Sequence, residues 1–167
     1  QEFSFTSLTT AQFEEFLNKE LPGLAEQVGA EQWIHQPGLP DNAPVFTSAR
    51  LEKLERLARG WTDGVRPDVA EAKDWSADDW QIYLQALPKT LPETDCAWLD
   101  ENFGLTAQGN CEILCNWLVI AAGSGYTPVH DRVRSFLGEV GRMKYLKPLY
   151  TALFGRDDSK DLAREVF

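Results

Sequence analysis

Between Gly141 and Arg156 the chain carries Arg142, Lys144 and Lys147 and not one Asp or Glu, although its formal net charge is -10. Pro148 and the apolar residues around it read as the first turns of a helix, which crowds these cations at a helix start. That end of a helix is the positive end of the peptide dipoles and favours carboxylates. Each exposed cation placed there costs about 0.3 to 1 kcal/mol. Such a cluster suits an anion site: unpaired backbone N–H groups at the helix start, Gly141 allowing close approach, and Arg142 able to grip a carboxylate through two parallel hydrogen bonds. Lys144 adds a point charge. If the segment before the helix is extended, Arg142 and Lys144 at i and i+2 point to one side. The competing reading is a solvated basic patch pairing with nearby acids, and the spacing leaves both open.

Other chemistry is sparse. Neither His35 nor His130 is followed by Glu, so no H-E-x-x-H zinc motif is present, and no Gly-rich phosphate loop, nucleophile elbow or Cys/His catalytic pair appears. His35 reads as a linker side chain with no carboxylate at ligand spacing, and His130 as a surface or interhelical residue. No residue is assigned a catalytic or metal-binding role. Cys111 and Cys115 stand four apart in a helical pattern and Cys96 is alone. Without a C-x-x-C pair, all three read as small buried hydrophobes, which suits a reducing compartment and a cytoplasmic rather than secreted protein.

The elements that would position these residues are helical. At 167 residues and 43% hydrophobic the chain can bury one real core. Sixteen basic against 26 acidic residues exclude a nucleic-acid surface. No apolar run is long enough for a membrane span and no signal peptide opens the chain, so a soluble protein is expected. The start at Gln1 suggests a processed or excised piece.

Thr9 and Thr10 are candidate caps for a helix bearing Phe13, Phe16, Leu17 and Leu21 on one stripe, which is expected to face the domain's own core. From Trp33 to Pro44 three prolines and a glycine read as an irregular surface linker. Leu51, Leu54, Leu57, Ala58 and Trp61 follow helical spacing. Ser76 and Asp79 form a capping-box-like start for Trp80, Tyr83 and Leu84. Thr94–Phe103, anchored by Trp98 and Leu99, closes at Gly104. Thr106–Ala122 is apolar nearly all round and is expected to lie buried between other helices. Thr127 and Pro128 open the next helix, the helix holding Pro148 runs to Phe154, and another starts near Asp158. No strand alternation interrupts this series. The fold class read from it is all-α, an α-α superhelix of stacked helix pairs of the armadillo or HEAT kind.

The run Gly141-Arg142-Met143-Lys144-Tyr145 with Lys147-Pro148-Leu149-Tyr150 resembles the G-R-M-K-[FY]-x-[RK]-P-[LIV]-[FY] signature of the leukotriene A(4) hydrolase and aminopeptidase B group of zinc aminopeptidases. Trp33-Ile34 with Pro37-Gly38-Leu39-Pro40 resembles that group's W-[LI]-x-x-P-G-[LIMV]-P wording, and Phe5-x-Ser7-Leu8-Thr9-Thr10 is similar to the region leaving its catalytic domain. The resemblance implies that residues 1–45 are the end of a catalytic domain and a Pro-rich interdomain linker, and 46–167 a helical C-terminal domain. It also implies that Arg142, assisted by Lys144, binds the carboxylate of short peptide substrates. The partner would be the zinc-peptidase domain of the same polypeptide. Zinc is expected there, and no cofactor in this chain. A free-standing helical-repeat interaction module is the alternative.

Overall fold

The computed structural model describes residues 3–167, and these divide between Thr47 and Ser48 into two units. In the first, Thr9 caps α1 (Thr10–Glu20) through a full capping box with Gln12, and α2 (Leu24–Gln27) and α3 (Ala30–His35) follow. The α1 stripe does not enter a core. No residue of α1 is buried, Phe13 is 41% exposed, and Phe16 meets only Phe3 edge to face at 5.5 Å among aromatic neighbours. Three short helices offer too little facing surface to enclose an aromatic stripe. Trp33, Ile34 and His35, expected in the irregular linker, are the last residues of α3. The helix survives until Gln36, whose backbone is extended because it precedes Pro37.

The second unit begins with Ser48, whose hydroxyl accepts from the Leu51 N–H and starts α4 (Ala49–Arg59). There follow α5 (Val69–Lys73), α6 (Ala77–Ala86), α7 (Glu93–Phe103), α8 (Cys111–Ser124), α9 (His130–Glu139), α10 (Met143–Phe154) and α11 (Lys160–Glu165). The described residues contain no strand. Helix α4 packs on α6, α6 on α8, α8 on α10 and α10 on α11, while α5 packs on α7 in a second row. Each helix serves its neighbours in turn, the arrangement of an α-α superhelix.

Helix α8 is the central member. Eight of its side chains are buried, Trp117 and Leu118 completely. A helix apolar on every side needs partners on every side, which the row supplies. It starts later than its apolar run suggests, because Asn110 takes the cap by accepting the Glu112 N–H, leaving Thr106 in a preceding 3-10 turn. Thr106 there accepts the Trp117 indole N–H at 2.9 Å and donates to Asp100. At the other end Gly125 adopts the left-handed conformation (φ +80°), and the Arg156 guanidinium lies against it so closely that a Cβ would stand 2.5 Å from Nη2. The positive φ is what favours glycine here, since the Arg156 side chain could swing away from a larger residue.

Between α4 and α7 the core is aromatic: Trp61, Trp75, Trp80, Tyr83, Trp98 and Phe103 meet mostly edge to face at 4.9–6.5 Å. The Tyr83 hydroxyl and Trp75 indole N–H are buried without a hydrogen-bond partner. Of the cysteines, Cys96 and Cys115 are buried but Cys111, first residue of α8, is exposed, because its place at the helix start faces outward.

Candidate functional site

Helix α10 begins earlier than its proline suggests. Arg142 holds the extended cap position (φ -85°, ψ 120°), Met143 is the first helical residue, and Pro148 lies inside the helix. There it removes one backbone donor and leaves the Lys144 carbonyl without its usual i+4 partner. The first turn contains no acid, and no side chain caps its free N–H groups. Around Gly141 nothing stands within 4 Å of where a Cβ would be, so packing does not demand glycine there.

Tyr145 is the anchor of this end. Its ring is buried against Phe136 at 6.1 Å, its carbonyl accepts from the Cys115 thiol, and its hydroxyl donates to Glu112 Oε1 at 2.8 Å. The two cations flank that ring, with the Arg142 guanidinium carbon 5.8 Å and Lys144 Nζ 5.6 Å from its centroid. The structure brings Arg142 and Lys144 to one ring although the chain is extended only at Arg142 and Lys144 already lies in the first helical turn, so the extended segment expected across both is not what aligns them.

They differ in electrostatic state. Lys144 Nζ donates to Glu112 Oε1, the same oxygen that Tyr145 uses. Lys144 first and Tyr145 second hold the Glu112 carboxyl below its ordinary pKa, and the same carboxylate raises that of the Tyr145 hydroxyl. Arg142 makes no ion pair with any acid among the described residues. Lys144 is hydrogen-bonded to a carboxylate, whereas Arg142 acts on that carboxylate only at a distance and keeps its hydrogen-bonding fork free of any ion pair among the described residues.

Glu112 is the residue that sequence reasoning passed over. A signal existed: it is the sole acid between Asn102 and His130, placed in an otherwise apolar helix. A lone carboxylate there has to face a cation or water.

His35 needs a correction of a different kind. Its Nε2 meets Glu14 Oε1 at 2.7 Å and stands 3.9 Å from Glu31 Oε2, so carboxylates do lie within reach, one of them four residues back on α3. The Glu14 hydrogen bond first, with the charges of Glu14 and Glu31, raises the imidazole pKa. Among the described residues these three form the one grouping of His, Cys, Asp and Glu donors tight enough for a metal, and Glu31 is 77% exposed. Exposed and lacking a second His, the group does not resemble a closed zinc site or a H-E-x-x-H site and is read as an ion pair linking α1 to α3. His130, half-buried at the start of α9, joins no such group.

The family described as "Leukotriene A4 hydrolase, C-terminal" matches residues 75–167, a segment that includes α6 to α11 and the whole Arg142 cluster. The chain belongs to that family. Similar proteins include a leukotriene A-4 hydrolase from Xenopus laevis, 26% identical over the full chain and 29% of the relative. Leucine aminopeptidase 2 of Ajellomyces capsulatus is 28% identical over 82% of this chain and 23% of its own length. Leucine aminopeptidase 2-1 of Scheffersomyces stipitis is 29% identical over 92% and 28%. The chain spans less than a third of each. Membership in the leukotriene A4 hydrolase C-terminal family accords with the helical superhelix. Among the described residues no helix is long and apolar enough to cross a membrane.

Proposed function

We propose that this chain is the non-catalytic helical domain of a zinc aminopeptidase, and that Arg142, with Lys144 beside it, binds the carboxylate end of short peptide substrates. The observation that supports the reading is that Arg142 makes no ion pair among the described residues and stands at an uncapped helix start. A guanidinium there presents a planar fork to a carboxylate, backed by free amides. Lys144, held on Glu112 and Tyr145, supplies a fixed second charge rather than a mobile one. The partner domain is the peptidase portion of the same polypeptide, with residues 1–45 as its end and the connecting linker. Zinc would polarise the scissile carbonyl in that portion, because the donors of this chain do not fit it. Three unpaired thiols support a reducing compartment.

The test is made in the full-length enzyme. Replacing Arg142 by Ala should lower kcat/KM on tripeptides by roughly tenfold to a hundredfold, with little loss on an aminoacyl-anilide that has no terminal carboxylate. Lys at the position should restore only part, since a point charge does not reproduce the fork. Equal losses on both substrates at an unchanged melting temperature would refute carboxylate recognition.

A further inference from the structure

A second feature of α10 uses neither Arg142 nor Lys144. Along its flank α6, α8 and α10 enclose a groove of about 660 Å³. Its floor is Leu84, Leu87, Val119, Ile120, Pro148 and Ala152. This is the size and apolar character of a ligand-binding cleft. The charge of its rim is unusual for this molecule. Lys89, Lys147 and Arg156 line it and no Asp or Glu does, in a chain where acids outnumber bases 26 to 16.

Lys89 and Lys147 are exposed and make no ion pair with any acid among the described residues. Arg156 is shared: it holds Asp158 through Nε at 3.0 Å and Nη2 at 2.6 Å while lying over Gly125. The rim therefore offers two unanswered charges and one partly answered. Lys89 belongs to the segment after α6, whereas Lys147 and Arg156 lie nine residues apart along α10 and just past its end. At 1.5 Å per helical residue that is about 13 Å, more than one carboxylate can span. A ligand with a single acidic head would satisfy one end only.

The geometry points to an acidic amphipathic peptide as the occupant: a short segment of a partner protein, with two or three apolar side chains on the floor and Asp or Glu at both ends facing Lys89, Lys147 and Arg156. Helical walls with an apolar floor are the setting in which helix-in-groove recognition operates, and the cationic rim selects the sign of the flanking charges.

The experiment pans the 167-residue chain with a displayed library of random 12-residue peptides, then measures the enriched peptides by fluorescence anisotropy. Enriched sequences should carry Leu, Ile or Phe bracketed by at least two acids. Their affinity should fall at least tenfold on a chain carrying K89E and K147E, and should weaken as salt rises. Both lysines are exposed, so the double variant should melt as the parent does, and a Lys89→Gln, Lys147→Gln chain should show a smaller loss if charge is the cause. Failure to enrich any peptide, enrichment without acids, or affinities unchanged by charge reversal would each overturn the proposal. So would peptides being displaced by laurate, a single-headed anion, at a concentration below its micelle threshold with affinity above theirs. A peptide held at Arg142 would be insensitive to the two lysine changes but weakened by Arg142→Ala, which separates this proposal from the one above.

Discussion

Two clusters in this molecule set cations against carboxylates at helix starts, and they end differently. At α6, Arg50 donates through Nε to Asp79 Oδ1 at 2.9 Å and through Nη2 to Oδ2 at 3.1 Å, while Lys53 and Arg50 share Glu71. Asp79 also closes the capping box with Ser76. Each charged group there has an opposite. At α10, Glu112 pairs directly with Lys144, while Arg142 acts on the same carboxylate only through its charge and makes no ion pair among the described residues. The first cluster holds its helices together; the second has charge to spare. The two clusters differ in charge balance rather than in the number of charges they hold.

The difference can be broken most severely at Arg142. On the proposed reading its replacement by Ala in the full-length protein should bring the tenfold to hundredfold loss on carboxylate-ended peptides. Lys144→Ala should cost clearly less, about two- to tenfold, because Glu112 already offsets much of that charge. Steady-state kinetics of the two variants on one tripeptide ranks them. If Lys144→Ala proves the more damaging, the unmatched cation is not the principal contact.

At the balanced cluster the effect should appear in stability instead. Asp79→Ala removes a capping box and a bidentate ion pair and should lower stability by about 1 kcal/mol, read from urea unfolding of the chain. The pH dependence has a definite sign. Arg50 first, with the Ser76 hydrogen bonds, depresses the Asp79 pKa from its usual 3.8 to about 2. A lowered folded pKa means that this contribution is complete above pH 4 and is lost as pH falls from about 4 to 2. The parent chain should lose more stability across that window than Asp79→Ala.

The smallest expected change concerns an imbalance of another sort. Tyr83 buries a hydroxyl that has no partner, and burial raises its pKa. Tyr83→Phe keeps the ring contacts and removes the stranded group, so it should be neutral or slightly stabilising, within about 1 kcal/mol. A melting temperature lowered by several degrees would mean that the hydroxyl has a use.

Much of the fold was legible because helical signals are local. The Ser76–Asp79 box, the apolar Leu54, Ala58 and Trp61 series, and Gly104 as a left-handed stop all operate within one or two turns. What escaped depends on neighbours distant in sequence. The α1 stripe looks like a core face by periodicity, yet burial requires an opposing surface that the first unit does not contain. Pro148 marks a helix but not its first turn, since a proline is tolerated inside when the rest of the helix packs well, as Tyr145, Leu149 and Leu153 do. In the candidate site the cations and their helix start were readable from residue types. The partner of Lys144 was not, because 32 residues separate it from Glu112 and only the packing of α8 on α10 brings them together.

The crowded rings between α4 and α7 also determine what light can report. Four of the six tryptophans, Trp61, Trp75, Trp80 and Trp98, sit in that cluster, with Trp75 and Trp80 4.9 Å apart and Trp61 and Trp98 5.8 Å apart. At such separations excitation migrates among indoles and their transitions couple, so near-ultraviolet dichroism and emission weigh this region far above the rest. Trp117 alone represents α8, and no tryptophan lies on α9, α10 or α11. Tryptophan emission should therefore report chiefly on the α4 to α7 cluster, and events at the Arg142 end, where the rings are tyrosine and phenylalanine, call for a backbone probe such as amide exchange.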